Sequence, residues 1–298
     1  MRYNNLSGYL RKKYGTRLSK ICIDGGFTCP NRDGRSGFGG CSYCGERGAG
    51  EHINQSGSIK EQVSAALATA PTDGKFIAYF QNFTNTYAPV SILRERYDAA
   101  LIDERIKILA VGTRPDCIDE EVAQLLASYL GRVDVWVELG LQTASDSTAI
   151  RINRGYTTSV FLRAASLLHK HRIPFVVHTM LGLPAEGEED ILETVRLINS
   201  VRPFGVKLHS TYVMRGTRLE EEYLRGEYTP IAREDYVRLC AECIARLRPD
   251  IILHRITGDC PRDLLVAPLW NTDKNGVIAD INKYMKENRL CQGSRFSK

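Results

Sequence analysis

The sequence predicts an α/β protein: a partial (β/α)6 barrel of the TIM type carrying a C-terminal α/β extension. Three observations predict it. Apolar, β-rich runs alternate with amphipathic segments whose apolar residues recur at three- and four-residue intervals, the pattern of βα units around a parallel sheet. The alternation repeats six times, short of the eight units of a closed barrel. After about residue 228 the pattern changes.

The first strand falls near 20–24, in the run Lys20-Ile-Cys-Ile-Asp24, and leads into a long glycine-rich loop. Strands follow near 75–81, 106–113, 133–141, 173–181 and 205–212, each an apolar, β-rich run. Helical periodicity fills the intervals near 58–70, 91–104, 118–130, 158–171 and 188–201. These elements form a core over 1–228, with a basic arm at its N-terminus. The remainder, 229–298, reads as an extension packed on the barrel: a helix near 233–247, a short apolar segment from Ile251 to Ile256, and a helix near 274–289.

Composition narrows the class. The chain of 298 residues has 43% hydrophobic content and can bury one large core. No run approaches the ~20 apolar residues of a membrane span, and no apolar segment follows the early basic residues, so a cytoplasmic location is expected and no membrane partner. Nine unevenly spaced cysteines suit a metal site with scattered core thiols under reducing conditions better than a disulfide framework. The net charge is only +5, yet Arg2, Arg11, Lys12, Lys13, Arg17 and Lys20 all precede the first acid, Asp24. Such an arm suits the phosphates of a nucleic acid; a plain solvated face is the alternative.

In parallel βα barrels, chemistry gathers at the carboxyl ends of the strands. The loop after the first strand carries Cys29, Cys41 and Cys44, with Gly37, Gly39, Gly40 and Gly45 allowing close backbone approach. Three thiolates on one loop can hold three irons of a [4Fe-4S] cube and leave the fourth open. A zinc site completed by a distant fourth ligand is the alternative.

This loop resembles the cluster loop of the radical S-adenosylmethionine (SAM) superfamily, usually CxxxCxxC, with Tyr43 as the aromatic before the third cysteine. Eleven residues separate Cys29 from Cys41, an expansion similar to the Elongator catalytic subunit and to the bacterial YhcC/YtqA (MnmL-like) group, where a TCPNRDG…GGC.YC pattern recurs. The resemblance implies a radical SAM core and two cofactors, a [4Fe-4S] cluster and SAM, which is reductively cleaved to methionine and a 5′-deoxyadenosyl radical. Cys29, Cys41 and Cys44 are the implied ligands.

Downstream segments resemble the same family. Glu138-Leu-Gly-Leu-Gln142, followed by Asn153-Arg154-Gly155, matches the ELGLQ…NRG pattern. It implies SAM contacts from Gln142 and Arg154, the latter through a guanidinium fork on the methionine carboxylate. A barrel-rim hydrogen bond and a surface arginine are the alternatives. Glu138 either pairs with the methionine ammonium or braces its strand. His178-Thr-Met-Leu-Gly182-Leu-Pro184 resembles the GLP turn near the adenosine, with His178 where relatives place a ribose-binding Asp; a satisfied rim histidine is the alternative. The GGE-type motif is replaced by Tyr79-Phe80-Gln81-Asn82, where main-chain carbonyls and Gln81 are the candidate contacts.

Cys240 and Cys243 lie in a helical pattern and read as core thiols; an auxiliary cluster with Cys260 and Cys291 is the alternative. Cys22 and Cys117 read as core or strand-end residues. His209 and the Arg255–Asp259 segment are placed near a substrate without an assigned role.

Kinship to the Elongator subunit implies tRNA as partner and the C5 side chain of the wobble uridine as target. A reductant protein such as flavodoxin or ferredoxin is implied with it. A radical SAM enzyme for a small metabolite or porphyrin, and a zinc-dependent nucleic-acid-binding protein, remain the other readings.

Overall fold

The computed structural model describes residues 2–48, 50, 53 and 57–297. Helix α1 spans Leu6–Tyr14, and β1, Leu18–Ile23, follows. Then come α2 (Ile59–Ala68), β2 (Lys75–Phe80), α3 (Val90–Ala100), β3 (Ile106–Thr113), α4 (Glu120–Ala127) and β4 (Asp134–Gln142). The second half contains α5 (Asp146–Arg151), α6 (Thr158–Lys170), β5 (Phe175–Leu181), α7 (Glu188–Val201), β6 (Gly205–Ser210) and β7 (Val213–Met214). The chain continues through α8 (Arg218–Leu224), α9 (Arg233–Arg246), β8 (Ile252–Arg255), β9 (Leu265–Ala267) and α10 (Lys274–Glu287).

Strands β1, β2, β3, β4, β5, β6 and β8 pair in that order, every pair parallel, into a curled half-barrel. This corrects the expected six strands to seven. Ile252 lies beside Gly205 and Leu253 beside Val206, so the apolar segment assigned to the extension supplies the last strand of the barrel sheet. A strand of four residues gives too little periodicity to be told from an apolar turn. Strands β7 and β9 form a separate antiparallel pair over the upper end.

Alternation along the strands sorts the side chains. Phe76, Ala78 and Phe80 join the main core beneath the helices, while Ile77 and Tyr79 face inward with Ile108, Ala110, Trp136 and Val176. The inner apolar layer is plugged from below by α1, whose Leu10 is buried against it. Asn5 caps α1 by accepting from Gly8 N at 2.8 Å, and Arg11, Lys12 and Lys13 occupy its last turn, where cations suit the helix dipole.

The basic arm is therefore a docked helix rather than a loose tail. Lys13 pairs with Asp134 and the Lys75 ammonium donates to Tyr14 O at 2.8 Å, both partners being first residues of strands. Arg11, Lys12 and Arg17 are exposed at the floor of the barrel, the end opposite the cysteine loop. Cys240 and Cys243 are buried in α9 against the main core, as the helical pattern implies.

Candidate active site

The cysteine loop is fastened before any ligand is considered. Asp24 accepts from Gly26 N at 2.7 Å and from Asn82 Nδ2 at 2.8 Å, which turns the chain out of β1. Further on, Gly40 N donates to Asn31 O and Ser42 N to Ile152 O. The Asn153 amide donates to Gly40 O at 2.7 Å, and Asn31 Nδ2 donates to Asn153 O at 2.6 Å. The Arg32 guanidinium holds the carbonyls of Cys44 and Gly45. Two glycines are dictated by this lashing. Gly155 has φ +79°, and a Cβ there would sit 2.8 Å from Asn31 Oδ1; Gly40 has φ +77°, and a Cβ would press on Arg32. The Asn-Arg-Gly motif is thus a strap that positions the cysteine loop.

Cys29, Cys41 and Cys44 line one cavity at the carboxyl ends of the strands, together with Tyr43, Gln81, Glu138, Gln142 and His178. Cys41 is held down at about 6 by a hydrogen bond from Cys44, with the Arg114 charge and the Asn31 amide adding to it against burial; Cys44 is pushed up in turn. One thiolate is thereby favoured at the site even without a metal.

Beneath lies a polar layer. Glu138 Oε2 accepts from the Tyr79 hydroxyl and from the Lys207 ammonium, which also donates to the Tyr79 oxygen at 3.1 Å. Burial opposes charge on both partners of this pair. It pushes Lys207 down to about 7 despite Glu138, whereas Glu138 is held below the usual carboxylate range because the Lys207 and Lys20 charges and the hydrogen bonds outweigh burial. Burial also keeps His178 neutral, at about 3, and its ring lies 5.1 Å from that of His209. The single Tyr156 hydroxyl proton is shared between Gly140 O and Gln142 Oε1, at 3.1 and 3.0 Å, and the Gln142 backbone is left-handed at φ +58°.

The structure corrects the expectation for Arg154. Its side chain is fully buried and does not line the cavity. The guanidinium donates to Leu141 O, Thr143 O and Tyr156 O, with Asp146 and Thr158 as further partners. The fork that suits a ligand carboxylate is spent on main-chain carbonyls at the end of β4. Glu138 is likewise committed through one oxygen to Lys207, the strand-bracing role. The Phe80 carbonyl already accepts from Asn85 Nδ2, and Tyr79 and Gln81 line the cavity from that segment.

Sequence reasoning missed Arg114, Tyr156 and Lys207, all of which line the cavity. Lys207 had a signal: Val206 and Leu208 pack into the outer core, so period-two alternation turns Lys207 inward with His209. Among the described residues, no group of three His, Cys, Asp or Glu side chains converges to hold a single metal ion, including the Cys240, Cys243, Cys260 and Cys291 set. A [4Fe-4S] cube spreads its thiolates over separate irons, so three cysteines along one cavity wall fit it.

Comparison with known proteins gives the following. A profile of the Radical SAM superfamily matches residues 29–198, and one of the Radical SAM C-terminal domain matches 203–287. YtqA of Bacillus subtilis, uncharacterized, is 36% identical over 305 residues, spanning 100% of this chain and 94% of the relative. A tRNA uridine(34) acetyltransferase of Dehalococcoides mccartyi is 31% identical over 173 residues, 57% of this chain and 37% of that protein. The solved structure of archaeal Methanocaldococcus infernus Elp3 superposes with a TM-score of 0.67 at 20% identity, covering 92% of this chain and 64% of that chain.

Proposed function

Because the chain belongs to the Radical SAM superfamily, enzymes that use SAM and a [4Fe-4S] cluster, we propose that it modifies tRNA at the C5 side chain of the wobble uridine. When bound, the cluster and SAM together supply a primary carbon radical able to take hydrogen from an unactivated C–H bond. Everything else falls to this chain's residues. Cys29, Cys41 and Cys44 hold the cluster, on a loop kept rigid by Asn31, Arg32 and Asn153. Gln142, hydrogen-bonded to Tyr156, and Gln81 offer amides to SAM, while neutral His178 faces it without adding charge. Tyr43 packs beside Met180 and Leu183.

The observation that carries the reading is that the three loop cysteines line one cavity together with strand-end polar groups. The tRNA part is supported by the named activity of the Dehalococcoides relative over 57% of this chain. A one-electron carrier such as flavodoxin or ferredoxin supplies the reductant. The exposed cations of α1 lie at the barrel floor, so a nucleotide entering at the cysteine end meets other contacts first. Mass spectrometry of tRNA nucleosides from a deletion strain tests the proposal: loss of one C5-substituted uridine is expected, and an unchanged nucleoside profile overturns it.

A further inference from the structure

Asn31 lies two residues after Cys29 and is fully buried, yet its Oδ1 has no hydrogen-bond partner. The amide is clamped in that orientation. A Cβ at Gly37 would lie 2.4 Å from Oδ1 and one at Gly155 2.8 Å, so two bare glycine backbones face the carbonyl and neither gives it a donor. Nδ2 points elsewhere. It donates to Asn153 O at 2.6 Å and lies 3.7 Å from Cys41 Sγ, within reach of a hydrogen bond to sulfur; its two hydrogens serve both. The oxygen and nitrogen of an asparagine amide have nearly the same shape, but reversing them here would set two acceptors 2.6 Å apart. The loop thus keeps an orphan oxygen at a cost in stability, and in return one N–H is held against a cysteine sulfur.

We infer that Asn31 raises the reduction potential of the cluster through an N–H···S hydrogen bond to Cys41. Reduction by one electron from the carrier adds a negative charge that spreads onto the thiolates, and no proton moves. The positive end of the Asn31 N–H stabilises that added charge more than it stabilises the oxidised state, so the contact makes the electron easier to accept. Burial strengthens the effect, because a side chain without exposed surface meets no competing water. Asn31 does not line the cavity, so it acts through Cys41 and not on a ligand bound there. The inference rests on Cys41 as a cluster ligand and is independent of the tRNA reading.

The test uses the reconstituted full chain without SAM. In protein labelled with the heavy nitrogen isotope only in its asparagine side-chain amides, pulsed EPR of the reduced cluster should show a coupled nitrogen. The neighbouring asparagines give their amides to other groups, Asn82 to Asp24, Asn85 to the Phe80 and Gly112 carbonyls and Asn153 to those of Phe38 and Gly40, so the coupling reports Asn31. Its absence in the parent, which requires no variant to fold, overturns the inference. A redox titration followed by EPR reads the size of the effect. Asn31→Ala should lower the equilibrium constant for one-electron reduction by roughly threefold to tenfold, the worth of one hydrogen bond, or about 30–60 mV. Asn153→Ala loosens the same loop by freeing Gly40 O and Phe38 O but leaves the sulfur contact in place, and should keep the potential close to the parent's. An unchanged potential in Asn31→Ala overturns the inference. So does an equal fall in Asn153→Ala, which would trace the shift to a loosened loop. A parental EPR signal in Cys41→Ala removes Cys41 as a ligand, and the inference with it.

Discussion

Replacing Arg154 by alanine separates a strap from a ligand contact. The truncation leaves the carbonyls of Leu141, Thr143 and Tyr156 without their donor in a fully buried setting. An unsatisfied buried acceptor costs about 1–3 kcal/mol, so three carbonyls that relax only in part lose about 3–5 kcal/mol together. The ion pair with Asp146 adds little, because that carboxylate is half exposed. A loss of about 3–5 kcal/mol in a chain of 298 residues corresponds to a fall in Tm of roughly 5–8 °C. Thermal unfolding of the purified variant followed by circular dichroism reads it. Calorimetry with SAM on the folded protein should give a smaller effect, passed on through the neighbouring Gln142. A variant with parental Tm and at least tenfold weaker SAM binding would refute the strap and place the guanidinium on the ligand.

Other outcomes follow from the same geometry. Alanine at Cys29, Cys41 or Cys44 should abolish the cluster's visible absorbance and SAM cleavage after anaerobic reconstitution, with far-ultraviolet circular dichroism unchanged; a redox-active cluster in all three variants would contradict the assignment. Cys243→Ala should retain parental iron and sulfide content, because that thiol is packed in the core. Burial raises Glu186 to about 7 against hydrogen bonds from Thr143 and Thr148, from an ordinary value of 4.5. The native state keeps a proton that the unfolded chain releases, so stability should fall as pH rises from about 4.5 to 7, by at most about 3 kcal/mol. Glu186→Gln should flatten that slope in denaturant titrations. Neutralising Arg11, Lys12 and Arg17 together should leave affinity for an anticodon stem-loop RNA and its salt dependence unchanged, since these groups lie at the floor; a lower salt slope would place RNA on that face.

Much of this was legible in the sequence for physical reasons. Six strands of six to nine residues declare themselves because each alternates between an inner layer and the helix side, and the three cysteines stand out because one loop must supply all the thiolates. The short β8 and the docking of α1 did not, since four apolar residues and a basic nine-residue stretch are compatible with several placements. Arg154 was legible as important but not in its role: an arginine after a strand reads identically whether its fork meets a carboxylate or main-chain carbonyls. Lys207 shows the reverse, a single charge whose inward position follows from the parity of its neighbours.

The plugged floor also sets an order of events during synthesis. Residues 2–5 are held by the far end of the chain: Leu253 N donates to Asn4 O, Gln292 N to Arg2 O, and Asn4 Nδ2 to Pro249 O. The cysteine loop leaves the ribosome long before those partners exist. At about 5–20 residues per second the interval is on the order of 10–50 s. During it the three thiols are open to iron–sulfur delivery while the residues before α1 lack their partners, so loading of the cluster need not wait for the barrel to close.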